Sequence, residues 1–266
     1  MKGNFSVRIP PIDRGDQKSS FGMIADYFNQ MAEELSGIET LRTDFISNVS
    51  HELKTPLAVI QNYGTMLQQP GLQEEKRLEY AKAVTEASRR LADLITNILK
   101  LNKLENQQIY PSAATYDLGE QLCECLLSFE GAWEEKNLEI ETSVEEEVFV
   151  DTDGQLLSLV WNNLFSNAIK FTEDNGKITL SLTTEGENAV VRVSDTGCGI
   201  PPEVGQHIFE KFYQGDTSHA TQGNGLGLAL VKRVMDIVGG DISVSSQVGK
   251  GSTFTVKIRR KQNGEA

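Results

Sequence analysis

Apolar residues in the first half of the chain recur at steps of three and four residues, which is the period of a helix with one apolar face. One series predicts a long helix over about 20–67, and a second predicts another over about 72–107. The segment QQPG at 68–71 separates them, because proline and glycine interrupt a helix. Pro56 lies inside the first helix and is expected to bend it. The apolar positions around it are Leu35, Ile38, Leu41, Phe45, Val49, Leu53, Leu57, Ile60 and Leu67.

Two long helices joined by a short loop form an antiparallel hairpin. Each helix carries one long, narrow apolar stripe, and a hairpin alone cannot bury both stripes. Two copies of the chain would bury them in a four-helix bundle, so the pattern favours a homodimer. The alternative is that the hairpin packs against the second half of its own chain.

The second half of the chain alternates between helical spacing and the two-residue alternation of strands, after a linker predicted at 109–116. This order predicts an α/β layer with strands on one face and helices on the other. The predicted helices lie at 117–136, 153–171 and about 225–238. The predicted strands lie at 138–144, 147–151, 177–184, 188–195, 241–247 and 252–260. The predicted fold is therefore a helical hairpin that dimerises into a four-helix bundle, followed by an α/β sandwich domain.

Composition narrows the possible functions. The chain has 266 residues and a formal net charge of −13, with no basic patch, which argues against nucleic acid as a partner. Cys123 and Cys125 would face different ways on a helix, and with Cys198 they form no disulfide framework, which fits a reducing compartment. No apolar run reaches the roughly 18–20 residues of a membrane helix. The chain as given is therefore expected to be soluble, which leaves open that it is the soluble part of a longer protein.

One histidine in the first helix is a candidate for chemistry. His51 falls between the stripe positions Val49 and Leu53, so it should point outward, with Glu52 beside it and Thr55 one turn later. An outward imidazole beside a carboxylate is a plausible nucleophile. Taken alone, however, a single histidine on a helix surface is more often only a surface residue.

The predicted helix at 153–171 carries two asparagines and a lysine. Asn163 and Asn167 are four residues apart and share one helix face, with Lys170 nearby. Amide oxygens suit a hard cation such as magnesium, and a lysine suits phosphate. An ordinary polar helix face is the alternative, although asparagine is unfavourable inside a helix.

Two glycine-rich segments lie further along the chain. The motif DTGCGI at 195–200 places an acid at a strand end, followed by glycines that allow close approach of a flat ligand, although this signal alone is weak. The segment IFEKFYQGD at 208–216 offers Phe209 and Phe212 as packing anchors and leads into a polar stretch, 217–222, that is predicted to be mobile. An ordinary surface loop is the alternative for this stretch, and either is compatible with a lid. The motif GNGLGLALVKRV at 223–234 places glycines at a helix start, where backbone N–H groups can hold phosphates. It is not a P-loop.

These motifs, taken together and in this order, closely resemble those of the sensor histidine kinases of two-component signalling. The resemblance covers residues 40–260. The matching segments are the histidine box FISNVSHELKTPL at 45–57, the asparagine box at 162–171, the glycine boxes at 195–199 and 223–227, the phenylalanine box at 208–212 and the closing GKGSTF at 249–254.

The resemblance also implies a domain organisation. Residues 1–38 would be a partial HAMP-like signal segment, because 21–35 loosely resembles the second HAMP helix. Residues 39–110 would form the dimerisation and histidine phosphotransfer domain, and 111–262 the catalytic ATP-binding domain. The complete protein would be anchored in the inner or plasma membrane, with this part on the cytoplasmic side.

The resemblance implies ATP and Mg²⁺ as ligands of the second domain. Asn167 would hold magnesium with support from Asn163, and Lys170 would contact phosphate. Phe171 would stack, and Asp195 would bind the adenine amino group. The remaining residues of the implied nucleotide site are Gly197, Gly199, Ile200, Phe212, Gly223, Gly225, Leu226 and Gly227.

The resemblance finally implies a reaction. Nε2 of His51 would attack the γ-phosphate while Glu52 takes or orients the other ring proton, and the phosphate would pass to an aspartate of a response regulator receiver domain. The pattern HExxT also resembles kinases that dephosphorylate their regulator, with Thr55 orienting a water; a surface threonine is the alternative. A phosphatase-dominant protein, or a dimeric ATP-sensing switch without phosphoryl transfer, are the competing interpretations.

Overall fold

The computed structural model describes residues 9, 20–106, 111–213 and 225–261. Gly223 and the polar stretch at 217–222, predicted to be mobile, therefore lie outside the described residues. Packing divides the chain into two compact units, one up to Leu91 and one from Ala92 onwards. No helix in the described ranges is both long and apolar enough to cross a membrane.

The first unit is built on two long helices. Helix α1 spans Ser20–Leu67, and α2, which continues into the second unit, spans Glu74–Asn106. The two predicted helices are thus confirmed, and the turn between them contains Gly71 at φ +78°. Near the turn, the rings of Tyr63 and Tyr80 lie 5.2 Å apart between centroids and connect the two helices. Helix α1 runs on through Pro56, and a bend there stays a prediction.

Much of the apolar surface of this hairpin is exposed in the single chain. Ile24, Phe28, Met31 and Leu35 follow steps of four, three and four residues, and between 41% and 61% of each is exposed. Such a seam is typical of helices that pack against another helix. The exposed large apolar side chains of the first unit are Met23, Ile24, Tyr27, Phe28, Met31, Leu35, Ile46, Leu57, Met66 and Leu78.

The start of the second unit differs from the prediction in two places. Strand β1, Ala114–Asp117, occupies part of the predicted linker, because it pairs with a later strand that the sequence did not bring next to it. The single helix predicted over 117–136 is wrong. The structure has α3 at Leu118–Leu127 and α4 at Glu130–Glu135. Asp117 caps α3 by accepting from the amides of Gly119 and Glu120.

The remaining elements form the predicted α/β layer. The strands are β2 Glu139–Val144, β3 Phe149–Thr152, β4 Lys177–Glu185, β5 Asn188–Asp195, β6 Asp241–Gln247 and β7 Gly251–Arg259. The helices are α5 Gly154–Phe171, α6 Pro202–Gly205 and α7 Gly227–Val238. Strand β1 pairs with β3, and the larger sheet has the order β2-β4-β5-β7-β6. Only its β2–β4 pair is parallel.

The core of this unit lies between the large sheet and the helices α5 and α7. Trp161 and Phe165 of α5 are 0% exposed, as are Val191 of β5, Val256 of β7 and Met235 of α7. Burial alternates along β4 and β7, as expected for strands with one covered face. The layered fold expected from the sequence is confirmed. In this fold α5 packs on one face of the large sheet, beside the predicted site.

Candidate active site

His51 lies on the solvent-facing side of α1, as the sequence predicted. It is exposed, and so is Thr55 one turn later. The Thr55 hydroxyl donates to the carbonyl of His51 at 3.4 Å, a contact to the helix backbone and not to the ring. The ring is therefore open to a reactant from solvent.

Glu52 is directed toward the second helix of the hairpin. Its Oε2 lies 4.0 Å from Nη2 of Arg90 on α2, and its side chain is only 16% exposed. In the described part of the chain its carboxylate is not brought to the ring of His51. An ion pair of this length contributes little to stability.

Asp195 is a half-buried carboxylate of the second unit that two backbone amides hold in place. It ends β5, and its Oδ1 accepts from the amide of Gly197 at 2.9 Å and from the amide of Ser252 at 3.2 Å. Burial raises the pKa of this carboxyl, and the two amides act in the opposite direction. Both amides bond to Oδ1, so Oδ2 has no recorded partner among the described residues and can accept a hydrogen bond from a ligand.

The first glycine loop is held by backbone-to-backbone contact. A Cβ on Gly197 would lie 2.3 Å from the carbonyl oxygen of Phe171, and one on Gly199 would lie 2.2 Å from that of Gln247. Gly199 also has φ +72°, which L side chains rarely adopt. The loop then ends at Ile200, which is half-buried. Only glycine fits at 197 and 199 without a shift of the backbone.

Helix α5 carries the two predicted asparagines toward α7. Nδ2 of Asn163 donates to the carbonyl of Leu159 at 2.7 Å, and its Oδ1 is turned toward Gly227, where a Cβ would lie only 2.6 Å away. Asn167 follows one turn later, half-buried, with no hydrogen bond of its amide recorded in the described ranges. The asparagine face is thus open beside the first residue of α7.

At the end of α5, Lys170 and Phe171 stack. Nζ of Lys170 lies 4.2 Å from the centroid of the Phe171 ring, a cation–π contact. Both side chains are half-buried, and the carbonyl of Phe171 contacts Gly197. This end of α5 therefore lies at the Asp195 loop, whereas Asn163 lies at the start of α7.

The phenylalanine box meets the second glycine motif. The amide of Phe212 donates to the carbonyl of Gly225 at 2.9 Å, and both residues have positive φ. Leu226 is fully buried. The predicted packing anchors Phe209 and Phe212 are half-buried, whereas Ile208 is the more deeply buried residue of this segment.

These features fit an adenine nucleotide. A half-buried carboxylate oxygen without a recorded partner lies at one end of α5, glycines that would clash with any side chain line the loop, and a helix start lies at the other end. Magnesium commonly takes one or two protein ligands together with substrate phosphates, which suits an asparagine oxygen. Within the described ranges no group of three or more His, Cys, Asp and Glu side chains could hold a metal by itself.

Several residues of the site were not identified from the sequence. The amide of Ser252 and the close approach of Gly251 to the Asp195 carbonyl come from GKGSTF, which the sequence marked only as a strand pair. Arg90 opposite Glu52 and Lys136 at the end of α5 were also missed. The glycines of GKGSTF were the available signal. Nothing local marks the two basic residues.

Comparison with known proteins identifies both units. Residues 41–107 match the family described as His Kinase A (phospho-acceptor) domain. Residues 152–262 match the family described as histidine kinase-, DNA gyrase B-, and HSP90-like ATPase. His51 falls in the first match and the Asp195 loop in the second.

Curated relatives and solved structures agree. The chain is 38% identical over 222 residues to the circadian input-output histidine kinase CikA of Synechococcus elongatus, covering 81% of this chain and 29% of CikA. It is 34% identical over 223 residues to the sensor-like histidine kinase SenX3 of Mycobacterium tuberculosis, covering 83% of this chain and 54% of SenX3. The chain thus spans about half or less of these relatives.

A crystal structure of full-length ShkA in complex with AMPPNP has the same fold. It superposes with a TM-score of 0.61 at 27% identity, over 85% of this chain and 47% of ShkA. Family matches to both units and relatives that span them in one alignment lead to a single conclusion. The chain belongs to the sensor histidine kinases.

Proposed function

We propose that this chain is the kinase part of a two-component sensor: it transfers the γ-phosphoryl group of ATP to His51, and then to an aspartate of a response regulator receiver domain. The observation that carries the proposal is the combination of an exposed histidine on the helical hairpin with a half-buried, glycine-lined carboxylate site in the ATPase unit. Either feature alone would support a weaker inference.

The nucleotide assignments follow the contacts around α5. Oδ2 of Asp195 accepts from the adenine amino group, and Gly197, Gly199 and Ile200 let the base approach. Phe171 stacks, and Lys170 reaches phosphate from its position over that ring. The residues assigned around the phosphates are Asn163, Phe212, Gly223, Gly225, Leu226 and Gly227, of which Gly223 lies outside the described residues.

Asn167 would hold magnesium, with Asn163 beside it. The ion would supply charge neutralisation at the phosphates, where phosphoryl transfer depends mainly on positioning and electrostatic stabilisation. The chain's own contribution is the open amide of Asn167, one turn from an asparagine that is already fixed to its own helix.

The transfer itself uses His51. Its Nε2 attacks the γ-phosphorus, a nitrogen–phosphorus bond forms, and the bond to the bridging oxygen breaks, so ADP leaves. Glu52, whose carboxylate is fixed loosely by Arg90 on the neighbouring helix, would take or orient the proton of the other ring nitrogen. Because the ring of His51 is exposed, a receiver domain can reach the same atom to take the phosphoryl group.

The chain would act as a homodimer. The hairpin has an exposed apolar surface that includes Ile46, Leu57 and Leu78 inside the proposed dimerising domain. This surface continues before that domain through Ile24, Phe28, Met31 and Leu35, and each of these side chains is at least 41% exposed. Covering it with a second copy removes this apolar surface from water. The proposed boundaries are 39–110 for the dimerising domain and 111–262 for the catalytic domain, preceded by a HAMP-like segment over 1–38. The complete protein would be anchored in a membrane with these domains in the cytoplasm.

A regulator phosphatase activity belongs to the same proposal. Thr55 is exposed one turn after His51, and its hydroxyl touches only the helix backbone among described residues, so it can turn to orient a water. Replacing Thr55 by alanine should slow loss of phosphate from the phosphorylated regulator and leave labelling of His51 intact. Equal rates of loss with and without the hydroxyl would remove Thr55 from this role.

Labelling from γ-phosphate-labelled ATP with magnesium tests the kinase proposal. The parent chain should incorporate label that is lost in acid and kept in base, as expected for phosphohistidine. His51→Ala should incorporate none, whereas His207→Ala, a change at another exposed histidine, should label like the parent. ATP binding without any label in the parent chain would overturn the kinase assignment and favour a nucleotide-sensing switch.

A further inference from the structure

One hydroxyl beside the nucleotide site has no part in the mechanism above. Ser246 lies on β6, half-buried, opposite Ser252 of β7. Its Oγ accepts from the amide of Ile200 at 2.8 Å, donates to the carbonyl of Gly251 at 2.9 Å, and lies 3.0 Å from Oγ of Ser252. Through its bonds to these two backbone groups, Ser246 connects the first glycine loop to the β6–β7 hairpin, and the amide of Gly249, which donates to the carbonyl of Cys198 at 2.8 Å, makes a second connection.

The hydroxyl is used to its full capacity. A serine has one O–H to donate and two lone pairs to accept with. Because the proton of Ser246 goes to the carbonyl of Gly251, the contact with Ser252 must have the Ser252 hydroxyl as its donor. Ser246 therefore makes three hydrogen bonds to three residues.

Each partner of Ser246 either contacts Asp195 or belongs to the loop that follows it. The amide of Ser252 donates to Oδ1 of Asp195 at 3.2 Å. Gly251, at φ +107°, lies so close that a Cβ there would be 1.9 Å from the Asp195 carbonyl oxygen. Ile200 ends the loop that begins at Asp195. Ser246 thus holds the strand that donates to Asp195 and the far end of the Asp195 loop in one arrangement.

We propose that Ser246 is a positioning residue that sets base selectivity, because it fixes Asp195 with Oδ1 bound to protein amides and Oδ2 presented to the nucleotide. The inference rests on the proposed function of Asp195. A carboxylate oxygen accepts from the exocyclic amino group of adenine and is repelled by the exocyclic carbonyl oxygen that replaces this group in hypoxanthine. If the carboxylate is fixed, the difference in affinity between the adenine and hypoxanthine nucleotides is large. If the carboxylate can move, this difference becomes smaller.

Calorimetric titration with ADP and with inosine diphosphate, each with magnesium, tests the inference. Ser246→Ala should bind ADP about tenfold more weakly, since one net hydrogen bond is worth roughly that factor, and should bind inosine diphosphate within about twofold of the parent. The matched control is Ser245→Ala on the same strand. Ser245 is exposed, and its replacement should change neither affinity.

The outcomes separate the inference from the proposed function. A parent chain that does not prefer ADP to inosine diphosphate contradicts the role of Asp195 itself. A parent that prefers ADP, together with a Ser246→Ala variant that keeps the preference or loses both ligands equally, overturns the role of Ser246. If Ser246→Ala does not fold, Ser246→Cys, which keeps the volume but bonds weakly through sulfur, carries the same expectation.

Discussion

Lys136 should stabilise the second unit through the end of α5. Its Nζ donates to three backbone carbonyls, those of Ile169 at 3.0 Å, Lys170 at 3.1 Å and Thr172 at 2.8 Å. Helix α5 ends at Phe171, so the carbonyls of Ile169 and Lys170 are among those that a helix leaves without helical partners, and Thr172 is the residue that follows the helix. One ammonium group therefore supplies donors to a whole helix terminus.

The size of the effect can be worked from these contacts. Lys136→Met keeps most of the aliphatic stem and removes the charged donor. A hydrogen bond to a charged group is worth about 1.5–3 kcal/mol, and a cation at a helix C-terminus about 0.3–1 kcal/mol. Lys136 is half-buried, so water can replace part of what is lost. We expect the free energy of unfolding to fall by about 2 kcal/mol.

Urea denaturation followed by tryptophan fluorescence measures this loss. The chain has two tryptophans, and both Trp133 and Trp161 belong to the second unit, so the signal reports its unfolding. The midpoint of Lys136→Met should fall without a change in slope, because the amount of surface exposed on unfolding is the same.

A second lysine provides the control. Nζ of Lys177 lies 3.2 Å from Glu139 and 2.9 Å from Glu141, but these ion pairs are on an exposed strand edge. Exposed pairs contribute little, so Lys177→Met should shift the midpoint less than Lys136→Met. A shift for Lys136→Met no larger than that of Lys177→Met would refute the reasoning about the α5 terminus.

Two further predictions concern the nucleotide site. Gly197→Ala should abolish ADP binding in calorimetry, because its Cβ would lie 2.3 Å from a backbone carbonyl, whereas Gly205→Ala, with nothing within 4 Å, should bind like the parent. Asp195→Asn should lose ADP binding and yet resist urea better than the parent at neutral pH. Burial raises the pKa of Asp195 in the folded chain, so stability falls as pH rises from the unfolded pKa to the folded one. Asp195→Asn cannot ionise at this position and should not lose stability in this way. If urea denaturation at a series of pH values finds Asp195→Asn less stable than the parent throughout, this reasoning is contradicted.

The sequence predicted those parts of the fold that local periodicity determines. The helices at 20–67 and 153–171 emerged almost at their observed bounds, because three- and four-residue steps persist over many turns. Strand β1 was missed because four residues give too short a pattern, and its partner is β3, more than thirty residues away. The break between α3 and α4 was missed because helical spacing continues across it.

The residues of the site likewise divide into those that a local motif indicates and those that depend on contacts between distant segments. His51, Asn163 and Asp195 stand in compact motifs whose residue types already suggest their chemistry. Lys136 and Ser246 could not be found in this way, since Lys136 donates to carbonyls at least 33 residues away in sequence and Ser246 accepts from an amide 46 residues away. A backbone carbonyl or amide has no signature in the sequence, so residues that bind one are recognised only after folding.

The contacts of the nucleotide site explain how the Asp195 carboxylate can be kept half-buried although no basic side chain in the described ranges is bonded to it. Its loop is fixed by three close backbone approaches, in which Gly197, Gly199 and Gly251 each meet a carbonyl oxygen where a Cβ would lie 2.3 Å or less away. Such contacts allow little adjustment, so the Asp195 loop is formed before a ligand arrives, and binding has little ordering to supply there. The burial of Asp195 disfavours its charged form, as the raised pKa shows. Such a destabilising residue is expected at a binding site, where the ligand requires a charged group that the folded chain alone does not favour. Asp195→Asn therefore separates the two demands: higher stability of the free chain together with lost affinity would show that the carboxylate is retained for the ligand and not for the fold.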